Sequence, residues 1–178
     1  MGHPIEASRL SKTMTGTIIG ALERVRGLFV GPTGLNHSLA TIRENYPVPL
    51  PAWGELPIEI SMAPADLEER SRSTKYPRIA LCAERIENGR DERFKRFSGT
   101  LRVAADVKVS QDRLDGLTES LYWYVDAVRD VIERHTGCLG DGLVLTGEYD
   151  IRVEAAKKGG LYYQQAARVI CPVQMSRR

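Results

Sequence analysis

One stretch in the second half of the chain constrains the fold more than any other. Leu101, Val103, Ala105, Val107 and Val109 alternate with Arg102, Ala104, Asp106 and Lys108. Strand side chains project to opposite faces with a period of two, so this segment is a strand with one apolar and one polar face. Such strands belong to antiparallel sheets covered on one side only.

Three more strands follow from the same pattern. Ile79, Leu81 and Ala83 alternate over about 78–86, and Asn88-Gly89 signals a turn after them. Tyr149, Ile151, Val153 and Ala155 alternate with Asp150, Arg152 and Glu154. Lys157-Lys158-Gly159-Gly160 reads as a tight turn, because its glycines accept positive φ. The returning strand carries Tyr163, Gln165, Ala167, Val169, Cys171 and Val173 on one face. Tyr162, Gln164, Ala166, Arg168 and Ile170 fall on the other.

The helices show a different period. Ile18, Ile19, Leu22, Val25, Leu28 and Phe29 recur at threes and fours, which predicts an amphipathic helix over about 14–30. Gly31-Pro32 ends it, with Gly31 expected in a left-handed cap. Leu35, Leu39 and Ile42 suggest a short helix over 35–45. The longest stripe is Leu114, Leu117, Leu121, Tyr124, Val125, Val128, Val131 and Ile132, a helix over 114–135 capped by Ser110 to Asp112 and closed by Gly137.

Between these halves the chain changes character. Pro47, Pro49, Pro51, Pro57 and Pro64 deny the donors that a central strand needs, so residues 46–76 read as an extended proline-rich arm. Ile58 and Ile60 alternate within it as a short edge strand. The expected fold class is α+β. Residues 1–178 form a single domain with a twisted, mainly antiparallel sheet of four or so strands and two helices packed on one face. No βαβα series announces a doubly wound nucleotide-binding fold.

The chain is long enough for a core without disulfides or metals. Its 25 Lys and Arg against 23 Asp and Glu leave a formal charge of +2, too small by itself to indicate nucleic acid. The basic cluster Arg90, Arg93, Lys95 and Arg96 is interrupted by Asp91 and Glu92 and reads as a solvated loop. Cys82, Cys138 and Cys171 have no metal-ligand spacing, and two of them sit in apolar strand patterns. The polar opening, Met1 to Lys12, lacks a secretory pattern, and no run reaches the length of a membrane span. Reduced cysteines in a cytosol-folded protein follow.

Catalytic and cofactor motifs are not found. Gly31-Pro32-Thr33-Gly34 follows a helix, whereas a phosphate loop follows a strand and supplies Lys and Ser or Thr after its last glycine. His3, His37 and His135 have no second ligand at metal spacing. His135 reads as a half-buried residue at a helix C-terminus. The sequence therefore names no catalytic, cofactor-binding or metal residues.

Aromatic residues are the remaining signal. Tyr122, Trp123 and Tyr124 are contiguous on a helix that turns about 100° per residue, so they cannot all face one core. Tyr124 points along the stripe, and Tyr122 or Trp123 is left near the surface, as an amphipathic boundary residue or as an anchor of a subunit interface. Tyr162 lies on the polar sheet face with Arg102, Lys108, Asp150, Arg152 and Glu154. That face is either solvated or packed on a neighbouring copy.

The layout over about 76–175 resembles the tail-terminator and neck (head–tail joining) proteins of long-tailed bacteriophages. Its bearers are Tyr76-Pro77-Arg78-Ile79 and Phe97-Ser98-Gly99-Thr100 opening two strands, and Ser110 to Asp112 before the helix with Tyr124 to Val128. Gly147-Glu148-Tyr149 and the Gly159-Gly160 hairpin complete the set. The resemblance implies a non-enzymatic structural virion protein, assembled in the host cytoplasm. It would form a homo-oligomeric ring, a hexamer in the terminators, that caps the tail tube and joins it to the head connector. Its partners would be other copies, the tail tube protein and the connector or adaptor, with DNA passing through the lumen and no membrane or cofactor involved. A twelvefold head-completion or connector adaptor is the alternative, and a small-ligand or enzyme domain stands further off. The contact residues expected on this reading are Tyr46, Trp53, Arg70, Arg72, Lys75, Trp123 and Tyr162.

Overall fold

The alternating stretch becomes the centre of the sheet. In a computed structural model, which describes residues 17–46, 60–62, 76–89 and 97–177, it lies within a strand running Phe97–Gln111. The elements in chain order are α1 (Ile18–Val30), α2 (Leu35–Asn45), β1 (Ile60–Ser61), β2 (Arg78–Asn88), β3 (Phe97–Gln111) and α3 (Leu117–Arg134). They continue with β4 (Gly137–Gly140), β5 (Leu143–Leu145), β6 (Asp150–Val153), β7 (Lys157–Gly159) and β8 (Tyr162–Arg177).

β3 and β8 pair antiparallel along their whole length, from Phe97 against Arg177 to Gln111 against Tyr163. β2 covers the other side of β3, and β1 adds to β2 in parallel at Ile79 and Ala80. The far side of β8 is shared by β5, β6 and β7 in turn, and β4 pairs with β5. Among the described residues the sheet thus holds eight strands, more than the four or so expected from alternation.

One face of this sheet meets the helices. Leu101, Val103, Val107, Val169 and Val173 are fully buried there against Leu121, Val128 and Val131 of α3 and Val25 and Phe29 of α1. Each such side chain stabilises the fold by about 1.5–3 kcal/mol relative to exposure. A β-bulge between Ala83 and Arg85 changes the parity of β2, so that Ile86 pairs with Leu101 and turns to the helix side.

The helices differ from expectation at their ends. α1 begins when the Thr17 hydroxyl caps Gly20 N–H at 3.0 Å. It ends at Gly31, whose extended backbone (φ −61°, ψ 172°) replaces the expected left-handed cap. Ser110 and Gln111 remain in β3, and Gly116 at φ +77° caps α3 instead of Ser110 to Asp112. α2 matches its expected span and adds a third helix. Ser38 of α2 donates to Asp130 of α3 at 2.6 Å, and Arg134 closes on the same carboxylate. His135 then anchors the α1–α2 turn: Nδ1 meets Val131 O at 2.8 Å and Nε2 meets Thr33 Oγ1 at 3.2 Å.

Only Tyr46, Ile60, Ser61, Met62 and Tyr76 of the expected 46–76 arm are described. Within it, Ile60 does form an edge strand, while Trp53, Arg70, Arg72 and Lys75 lie outside the described residues.

A candidate subunit interface at the sheet edges

The sheet face away from the helices is polar, as its alternation requires. Its centre is a charge pair: Arg168 of β8 donates from Nε and a terminal nitrogen to both carboxylate oxygens of Asp106 at 2.6 and 2.9 Å. The aspartate side chain is 11% exposed and the arginine 44% exposed, so the pair is only partly screened by solvent. This hydrogen bonding holds the guanidinium pKa above its usual value. Ala80, Ala104 and Ile170 on the same face are buried. Burial, and then the Asp106 charge, raise the pKa of the nearby Cys82 thiol.

A hollow of about 270 Å³ opens on this face where β8 passes from β6 to β7. Tyr76, Lys108, Glu154, Lys157, Gln164 and Gln165 line it. Gln164 donates to the Tyr76 hydroxyl at 3.3 Å, which carries Tyr76 across the sheet from the β2 side. Gln165 is held between Thr118 Oγ1 at 2.9 Å and Glu154 O at 3.0 Å. Gln164 and Gln165 in its lining are thus engaged in structural hydrogen bonds, and Lys157 and Glu154, also in the lining, are bridged at 3.1 Å. Among the described residues, no three His, Cys, Asp or Glu side chains gather as metal ligands.

The sequence-derived contact residues separate into two places. Tyr46, just past α2, stacks on Trp123 of α3 with ring centroids 5.1 Å apart. Two of the expected contact residues thus touch each other, with Tyr46 still 53% exposed. The Trp123 indole N–H is buried and meets no acceptor among the described residues. Its neighbour Tyr122 is the exposed aromatic of that helix, at 49%. Tyr162 is 53% exposed beside Leu161 at the β7–β8 turn.

The sheet edges expose more. Among the described residues β6 pairs only with β8, and every residue from 150 to 161 is exposed. Ile151 and Val153 turn to the helix side, in register with Val169 and Ala167, yet lie beyond the helices. Asp150 and Arg152 turn to the polar side and bridge at 3.2 Å. At the opposite edge, among the described residues, β1 covers only Ile79 and Ala80 of β2. Ala83 to Ile86 are exposed, with Arg85 and Glu87 bridged at 3.2 Å. Alternation identified the β6 strand; that it lies at an edge follows only from the β8 register.

No protein-family model matches this sequence, and no curated protein matches it significantly. No described helix is long and apolar enough to cross a membrane.

Proposed function

We propose that this chain is a structural subunit of a bacteriophage virion, a tail terminator that assembles as a homo-oligomeric ring, caps the tail tube and meets the head connector. One observation carries this reading: a single sheet with opposite edges that both present apolar and charged side chains to solvent. A protein with two different sticky edges joins head to tail, and head-to-tail contacts close into rings when the rotation between neighbours permits. The order of elements over 76–175, which resembles the terminator and neck proteins, agrees with it. In this reading the bridged hollow and the polar face serve packing rather than catalysis, and the lumen lets DNA pass without reading its sequence.

Native mass spectrometry with negative-stain images, for the chain alone and with tail tubes added, tests the proposal. Sixfold rings on the tube end are expected. Twelvefold rings would replace the terminator by a connector adaptor. A chain that stays monomeric in both settings would overturn the ring.

A further inference from the structure

We infer that Arg85 and Arg102 form a receptor for one further carboxylate, a site on the polar sheet face that Glu87 fills only in part. The site does not depend on the ring.

Three observations carry it. First, the two arginines are direct cross-strand partners in the β2–β3 ladder. Like charges directly opposed destabilise a strand pair, so this pair needs counter-charge. The β2 bulge creates the opposition. Ala83 pairs with Val103, so an unbroken register would set Glu84 against Arg102, and the extra residue puts Arg85 there instead. On its other side Arg102 faces Pro172 of β8, which carries no charge.

Second, the counter-charge present is too small. Both guanidiniums reach the same Glu87 oxygen, Arg85 Nε at 3.2 Å and Arg102 Nε at 3.5 Å. Two cations and one carboxylate leave one positive charge over. Among the described residues neither arginine meets another acid. Glu84 is near enough to Cys82 and Arg168 to act on both, yet makes no ion pair with Arg85 or Arg102.

Third, a donor is left over. The Arg102 Nε is buried and has no hydrogen bond among the described residues. Such groups are rare and mark places where a water or an ion belongs. Arg168 on the same face shows the satisfied arrangement, with both Asp106 oxygens held at 2.6 and 2.9 Å in a closed fork. The Arg85 and Arg102 side chains remain accessible, 68% and 43% exposed.

One residual charge selects a monoanion, and the planar guanidinium forks match a carboxylate. A nucleic-acid backbone needs several cations along its track and would meet Glu84 and the closed Asp106–Arg168 fork here. The carboxylate comes from a free acid or from an Asp or Glu side chain of a partner protein.

The test follows the arginine Nε–Hε signals of the full chain by NMR while sodium acetate replaces sodium chloride at constant ionic strength. The Arg85 and Arg102 signals should shift together and saturate with a Kd of about 10 mM or tighter, while Arg168 stays still. Glu87→Gln removes the competing carboxylate and should tighten acetate binding roughly fivefold or more. Acetate should then raise the melting temperature of that variant more than that of the wild type. Arg85→Met, at the more exposed position, should abolish the saturable shift in both backgrounds. Arginine signals that drift without saturating mark an adventitious ion only and overturn the site. Weaker acetate binding in Glu87→Gln also overturns it. Free glutamate and tail tubes separate the two sources. Tubes that shift both signals, with reversal by excess acetate, assign the carboxylate to a partner's side chain. Saturation by glutamate with tubes inert assigns it to a free acid.

Discussion

At the scale of single residues, backbone geometry and burial separate positions that must be conserved in size from those that need not be. Asp141 and Gly142 turn β4 into β5 with φ of +53° and +75°. A Cβ on Gly142 would sit 2.1 Å from the Ser176 carbonyl oxygen. Gly142→Ala thus combines a left-handed backbone with a clash against backbone, and should destabilise the fold by about 1–3 kcal/mol in chemical denaturation. Leu121 is fully buried in α3 against the sheet, and Leu121→Ala should cost roughly 2–5 kcal/mol by the same measurement. The cysteines divide in a way the sequence only half shows. Burial pushes the Cys171 thiol up to about 12, while Cys138 is exposed. A thiol reagent at pH 8 should label Cys138 at once and Cys171 only on unfolding. Because the folded pKa of Cys171 is raised, its contribution to stability is complete below about pH 9, near the unfolded value, and falls away as pH climbs towards 12. Melting temperature measured from pH 8 upward should decline over that window, and Cys171→Ala should flatten the decline.

At the scale of elements, period alone was a sound guide wherever one face of an element is buried. The β3 alternation, the α3 stripe from Leu117 to Ile132 and the inward set of β8 from Tyr163 to Val173 lie where their spacing puts them, whereas Leu114, counted in that stripe, falls before the helix and is exposed. Ends were less legible. Ser110 to Asp112 resembles a capping run, yet Ser110 and Gln111 stay in the β3–β8 ladder, because two further pairs outweigh an early helix turn. The β4–β5 hairpin is too short to alternate, although Asp141-Gly142 between Leu139 and Leu143 carries a hairpin signal. The β2 bulge could not be read from sequence, since the extra residue only shows against its partner strand. Nor could the Asp106–Arg168 pair, whose members are 62 positions apart. Arg168→Met would leave the mostly buried Asp106 carboxylate unpaired. It should lower stability by roughly 1–3 kcal/mol, the half-exposed guanidinium keeping the loss at the lower end.

At the scale of the whole molecule, the sheet is asymmetric in a way that suits repetition rather than closure. Its helix face is filled, its polar face is tied by the central ion pair, and its exposed apolar residues gather at the edges. With a formal charge of only +2, copies repel one another weakly, so short-range contacts decide association. Edge-to-edge contact in the proposed ring would bring exposed ion pairs and apolar side chains together across copies. Exposed pairs contribute about 0.2–1 kcal/mol each and are screened by salt, whereas apolar and main-chain contacts are not. Raising sodium chloride from ~0.05 to ~0.5 M should therefore weaken wild-type self-association by roughly fivefold, as two such pairs imply. A chain carrying Arg85, Glu87, Arg152 and Glu154 all changed to Gln should associate more weakly in dilute salt and lose this dependence. Mass photometry across the salt series reads both. Association that strengthens with salt would point instead to an interface dominated by apolar surface, with Tyr122, Leu161 and Tyr162 as the exposed groups best placed to supply it.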